Sequence, residues 1–159
     1  MSGEVQLKRR WKLGAEIGEG GFGRVFQATA EDGTEGVLKL VPQLPGASRE
    51  LLFEPLAGRP NVIPILESGE WQDQYVLAMP RAEKSLGDQL QQAGGSLATD
   101  EALPVLVDMA EALAGLEQDV VHRDLKPDNV LFYQGKWCLA DFGIARYAAA
   151  TTGRAPERV

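Results

Sequence analysis

Cysteine is almost absent from this chain. The single thiol, Cys138, excludes an internal disulfide and accords with a reducing, cytoplasmic setting. It lies in an apolar strand pattern, so it is expected to be a small buried residue. Long hydrophobic runs are lacking too. None approaches the roughly 20 apolar residues that a membrane helix needs, so no membrane segment is expected. The polar, basic stretch from Met1 to Trp11 has no apolar centre, which argues against a secretory leader. Nor is positive charge in excess: 16 Lys and Arg face 23 Asp and Glu, for a net charge of -7. That balance gives a nucleic-acid partner no electrostatic support. Repeats and low-complexity tracts are also missing.

What is present is ordinary in bulk. The 159 residues suit one domain or two small lobes, and 44% hydrophobic with 25% charged residues is normal for a globular chain. A chain of this size can bury about 70% of its extended surface. Against that background one stretch stands out. His122 to Val130 holds two carboxylates, two cations and an amide within nine residues, between apolar Val120-Val121 and Val130-Leu131-Phe132. Charges held between buried strands are costly unless they act. A polar turn is the plain alternative, but the spacing of Asp124 and Asn129 suits one task. A carboxylate there could take a proton from a hydroxyl, while an amide oxygen five residues on holds a cation.

The stretch His122-Arg123-Asp124-Leu125-Lys126-Pro127-Asp128-Asn129 resembles the catalytic loop of eukaryotic-type serine/threonine protein kinases. The resemblance implies that Asp124 is the catalytic base and Asn129 a Mg²⁺ ligand. Lys126 stands where serine/threonine kinases carry a lysine.

Gly18-Glu19-Gly20-Gly21-Phe22-Gly23 has four glycines in six residues, which lets backbone N–H groups approach a ligand. A glycine-rich hairpin or a dinucleotide-binding turn are the alternatives. The period-two alternation after Arg24 favours strand–loop–strand. Lys39, between Leu38 and Leu40 in an apolar strand, either snorkels to solvent or meets an anion. Asp141, twelve residues after Asn129, could simply start a turn.

By resemblance these residues fall into place as an ATP site. Ile17, Gly18, Gly20, Gly23 and Val25 would belong to the loop over the phosphates and the adenine, with Phe22 capping the phosphates. Lys39 would hold the α- and β-phosphates, and Glu50 would pair with it, Glu54 being the rival one helical turn on. Met79 would lie in the hinge that binds adenine, behind a small Ala78 that leaves a cavity at the back of the pocket. Asp141 would be the second Mg²⁺ ligand. Arg154 is followed by Ala155-Pro156-Glu157, which resembles the motif closing the activation segment.

The coarse elements follow from periodicity and turn residues. Strands are expected over 11–17, 24–30, 36–41, 62–70 and 74–79, with a helix from Arg49 to about Leu56 kinked by Pro55. Ser85 to Ala93 predicts a short helix, and Thr99 or Asp100 begins a long one to about Gln118. On the long helix Leu103, Leu106, Val107, Ala110, Leu113, Ala114 and Glu117 share one mostly apolar face. That spacing predicts a core helix without a chemical role. Val130–Tyr133 and 137–140 predict a hairpin across Gln134-Gly135.

The fold expected is α+β and protein-kinase-like. A small lobe of five antiparallel strands plus one helix occupies residues 1–79, and an incomplete, mainly helical large lobe occupies 80–159. The function expected is ATP- and Mg²⁺-dependent phosphorylation of a Ser or Thr in a protein. The rivals are a nucleotide-binding regulatory module without transfer, and an inactive scaffold or fragment of a longer kinase. With the resemblance ending at Glu157, part of the large lobe is expected to be lacking. Its exposed apolar surface would then favour self-association and weak turnover.

Overall fold

The chain's first half builds an antiparallel sheet of six strands. They are β1 (Glu4–Gln6), β2 (Arg10–Gly20), β3 (Gly23–Ala30), β4 (Glu35–Pro42), β5 (Glu67–Trp71) and β6 (Gln74–Pro80), in the order β1-β2-β3-β4-β6-β5. The structure is a computed structural model, and it describes residues 3–20, 23–43, 58–116, 120–122, 124–140 and 146–147. The edge strand β1 is one more than the five expected. Its lone apolar residue, Val5, pairs with Trp11 and is fully buried, but three residues are too few for a periodic signal. The helix expected from Arg49, with Glu50 and Glu54, lies outside the described residues.

Register divides this sheet into two faces. On one, Trp11, Leu13, Phe26, Leu38, Leu40, Val76 and Ala78 form the small lobe's core. Burying each of the larger side chains contributes roughly 1.5–3 kcal/mol. Its edges are tied by Arg9 in the β1–β2 turn. The Arg9 guanidinium donates to Asp32 at 2.8 Å, to the Thr34 hydroxyl at 3.1 Å, and to the buried carboxylate of Glu67. Asp32-Gly33 makes the expected tight turn between β3 and β4. Gly33 takes φ 85°, and the Asp32 carboxylate accepts from the Thr34 N–H at 2.9 Å.

The expected strand from Val62 starts late, at Glu67. Asn61, in the left-handed region at φ 52°, turns the preceding chain toward the second half instead. There Val62 forms a parallel bridge with Leu139.

The second half comprises β7 (Lys84–Ser85), α1 (Leu86–Gln92), α2 (Thr99–Leu116), β8 (Val120–Val121), a 3₁₀ turn at Pro127–Asn129, β9 (Val130–Tyr133), β10 (Lys136–Leu139) and β11 (Arg146–Tyr147). Helix α1 begins where expected, with the Ser85 hydroxyl accepting from the Asp88 N–H at 3.0 Å. It ends at Gly94 and Gly95, both at positive φ. The sheet order β10-β9-β7 and the pair β11-β8 flank the loop between β8 and β9.

Helix α2 corrects the expected core face. The buried residues are Val105, Asp108, Met109, Ala112 and Leu116, packed with Val62, Val130, Trp137 and Leu139. Leu103, Leu106, Val107 and Leu113 are exposed. Both stripes are apolar at helical spacing, so periodicity could not choose between them. On the stripe that faces inward the apolar residues pack on β9 and β10, and β10 also supplies partners for its aspartate.

Candidate functional site

The charged loop is held by backbone contacts before any side chain acts. His122 is buried, and its Nδ1 accepts from the Asp124 N–H at 3.2 Å. Its Nε2 lies 2.8 Å from the Ala140 carbonyl oxygen. A carbonyl only accepts, so Nε2 carries the proton and donates. Pro127 opens the 3₁₀ turn, where its missing N–H costs nothing, and the Asn129 N–H closes on the Lys126 carbonyl at 2.9 Å.

Within this frame Asp124, Lys126 and Asn129 converge. Asn129 is 6% exposed, and its Nδ2 donates to the Asp124 carbonyl at 2.8 Å and to the Asp124 carboxylate at 3.1 Å. The Lys126 ammonium stands 3.4 Å from the same carboxylate. The Asp124 side chain keeps 22% of its surface open, so it is oriented yet reachable. With its NH₂ group turned onto Asp124, the Asn129 amide leaves its oxygen without a hydrogen bond among the described residues. An uncharged oxygen donor in that position suits a hard cation that draws its remaining ligands from phosphate and water. Among the described residues no group of three His, Cys, Asp or Glu side chains forms a protein-only metal cage.

The nucleotide-side residues sit in the small-lobe sheet. Gly18 pairs with Val25, Val25 with Lys39 and Lys39 with Leu77. Cross-strand partners share a face, so Val25, Lys39 and Leu77 lie together, opposite the Trp11 core. Gly20 pairs with Gly23 at the strand ends. Gly23 takes φ 137°, and a Cβ there would collide with the Leu40 carbonyl oxygen, so this position requires glycine. Ile17 is exposed on β2. Lys39 is 6% exposed, a cation buried in a strand.

One expectation is overturned here. Ala78 pairs with Leu38 and joins the Trp11 core, so it does not line the Lys39 face. Leu77 is the residue across from Lys39, because a strand's period of two puts neighbours on opposite faces. Met79 does face the second half, packed against the cluster of Ile63, Cys138 and Ala140. Cys138 is buried as expected, and burial pushes its thiol up from the ordinary pKa. Phe22, Asp141 and the stretch from Thr151 to Glu157 lie outside the described residues.

Two residues act here through contacts that the sequence does not signal. His122 stands in the motif without a chemical role of its own, yet it fixes the Asp124 backbone. Asp108 accepts from the Trp137 N–H at 2.8 Å and from Lys136 at 3.1 Å, contacts made across long sequence separations that no local pattern signals.

The glycine-lined strand pair, the buried lysine beside it and the aspartate–asparagine loop all fall within one family match. The family model described as the protein kinase domain matches residues 11–157, and the chain belongs to that family. It is 33% identical to serine/threonine-protein kinase 36 of Mus musculus over 146 residues, covering 86% of this chain and 11% of that protein. It is 32% identical to the serine/threonine-protein kinase PknH of Mycobacterium bovis over 166 residues, covering 96% and 26%. Against the serine/threonine-protein kinase PrkC of Bacillus subtilis it is 36% identical over 95 residues, covering 58% and 15%. The chain thus spans between about a tenth and a quarter of the length of these relatives.

Proposed function

We propose that this chain transfers the γ-phosphate of ATP to a serine or threonine hydroxyl of a protein. The observation that carries the reading is the Asp124 carboxylate, oriented by the Asn129 amide at 3.1 Å and faced by Lys126 at 3.4 Å. Asp124 accepts the proton of the substrate hydroxyl. The hydroxyl oxygen bonds to the γ-phosphorus, the bond from that phosphorus to the β,γ-bridging oxygen breaks, and ADP leaves. Lys126 lies on the same side as the carboxylate, where it balances charge on the transferring phosphoryl group.

The remaining roles belong to the same reading. Asn129 and Asp141 would hold Mg²⁺, which would supply charge neutralisation on the phosphates. Lys39 would meet the α- and β-phosphates, with Glu50 as the expected partner of its ammonium. Ile17, Gly18, Gly20, Gly23 and Val25 enclose the nucleotide, and Met79 borders the adenine, with the division between lobes near residues 79 and 80. A cytoplasmic location follows from ATP as substrate and agrees with the unpaired thiol of Cys138. Among the described residues no helix is long and apolar enough to cross a membrane. The exposed apolar face of α2 supports self-association of the chain.

Asp124→Asn tests the central role. The variant is expected to bind ATP nearly as wild type, because Asp124 acts on the hydroxyl. Transfer of labelled phosphate to a generic basic protein should fall by about 10²–10⁴-fold, the range for a lost general base. A variant that phosphorylates at the wild-type rate would remove Asp124 from the chemistry. A wild-type chain that binds ATP but transfers nothing would favour a nucleotide-binding regulatory module.

A further inference from the structure

Strand β10 is the outer strand of its sheet, so its outward N–H and C=O groups need partners from elsewhere. They find them. The Trp137 N–H donates to the Asp108 carboxylate of α2 at 2.8 Å. Two residues on, the Leu139 N–H donates to the Asn61 carbonyl at 2.8 Å, and the Leu139 carbonyl accepts from the Ile63 N–H at 3.0 Å. Asn61 is itself fixed by Asp108, donating its side-chain amide to the Asp108 carbonyl at 3.0 Å. The Asp108 carboxylate therefore holds β10 at Trp137, while its backbone carbonyl, together with the Glu111 carboxylate at 3.2 Å, holds the Asn61 side chain whose backbone meets Leu139.

What lies beyond β10 is the charged loop. The Ala140 N–H donates to the Asn129 carbonyl at 2.9 Å, and the Ala140 carbonyl accepts from His122 at 2.8 Å. His122 holds the Asp124 N–H, and Asn129 holds the Asp124 carboxylate. An unbroken chain of hydrogen bonds and strand backbone runs from Asp108 to the loop.

The carboxylate is costly where it stands. Asp108 is 5% exposed, and an apolar residue would match the Val105–Met109–Ala112 stripe. A buried carboxylate persists when its acceptors are filled. Here one oxygen takes a strand amide and the other takes Lys136, whose pKa this contact raises.

We infer that Asp108 is a positioning residue for the catalytic loop, acting through β10 and Ala140 on Asn129 and Asp124. The inference rests on the kinase reading for its consequence, though the mechanical link does not.

Four variants of the chain separate the possibilities: Asp108→Ala, Asp108→Asn, Lys136→Ala and the double variant Asp108→Asn/Lys136→Ala. The first readout is amide exchange at Trp137, Leu139 and Ala140 without nucleotide. The second is the Mg²⁺ concentration that half-saturates binding of a fluorescent ATP analogue. Asp108→Ala should speed exchange through Ala140 and raise the Mg²⁺ requirement about 10–100-fold, as losing a partner behind a metal ligand does.

Asp108→Asn keeps an oxygen for the Trp137 N–H but turns an NH₂ toward the Lys136 ammonium, so it should fall between Ala and wild type. Lys136 is mostly exposed, and Lys136→Ala alone should change little. The double variant removes the clash and should return both readouts to within about threefold of wild type, since the charged partner contributes little at the surface. A role in stability alone would give no such recovery in the Mg²⁺ titration. Should Asp108→Ala fail to fold, Asp108→Asn against the double variant makes the same comparison.

Unchanged exchange at Ala140 in the Asp108 variants would overturn the inference. So would faster exchange with an unchanged Mg²⁺ requirement. A wild-type chain that takes up no nucleotide at any Mg²⁺ concentration would overturn the kinase reading instead, and exchange at Ala140 would still decide the link from Asp108.

Discussion

The side-chain amide of Asn129 donates to the carboxylate of Asp124 across 3.1 Å. One residue thus orients the proposed base and presents an oxygen for the cation. Asn129→Asp keeps the oxygen but removes the donor and sets a second carboxylate beside Asp124. Two carboxylates so close cannot both ionise, and one pKa rises. The transfer rate should then require higher pH than in wild type, and pH–rate profiles of the two proteins check it. An unshifted profile would mean that Asn129 does not hold Asp124 during the reaction.

Lys39→Met should weaken ATP binding by roughly 10–100-fold, the value of a charge-assisted contact of about 1.5–3 kcal/mol. Methionine fills a similar volume on the face shared with Val25 and Leu77, so the melting temperature should hold. Titration calorimetry with equal affinities for both proteins would place the phosphates elsewhere.

Acid should loosen the small lobe through the Arg9 cluster. Hydrogen bonds from the Thr34 hydroxyl and N–H, with one from Arg9, hold the Asp32 carboxyl down at about 2, against an ordinary 3.8. Burial pushes Glu67 up, but the Arg9 N–H and guanidinium outweigh it and hold the group below its ordinary 4.5. Both folded pKa values are depressed, so the unfolded chain binds more protons between pH 4.5 and about 2. The contribution is complete above this window and is lost as pH falls through it. Melts across this range should show a steeper acid loss for wild type than for Arg9→Met. Parallel curves would show that the cluster does not couple to folding.

The α2 face carrying Leu103, Leu106 and Val107, each more than half exposed, should drive concentration-dependent association. Leu106→Glu should shift sedimentation toward the monomer without lowering the melting temperature, because the side chain has no core contact to lose. A wild-type monomer at every concentration would remove this surface from consideration.

The chemistry was legible in the sequence because it depends on residue identity at short spacing. Asp124, Lys126 and Asn129 lie within six residues, and the 3₁₀ turn that joins them starts at Pro127 and closes on a local hydrogen bond. The glycine at 23, the Asp32-Gly33 turn and the Ser85 cap were legible for the same reason, each being a local backbone requirement. Three things were not. Helix α2 has two apolar stripes of equal spacing, and only the approach of β10 selected the one with Asp108. Ala78 and Leu77 are neighbours in a strand, and pairing with β4 decided which of them shares a face with Lys39. Arg9 meets Asp32 and Glu67 across 23 and 58 residues. Composition and spacing determined which groups could react. Tertiary structure decided what holds them, because a buried carboxylate or a cross-strand partner is chosen by segments that meet only when the chain has folded.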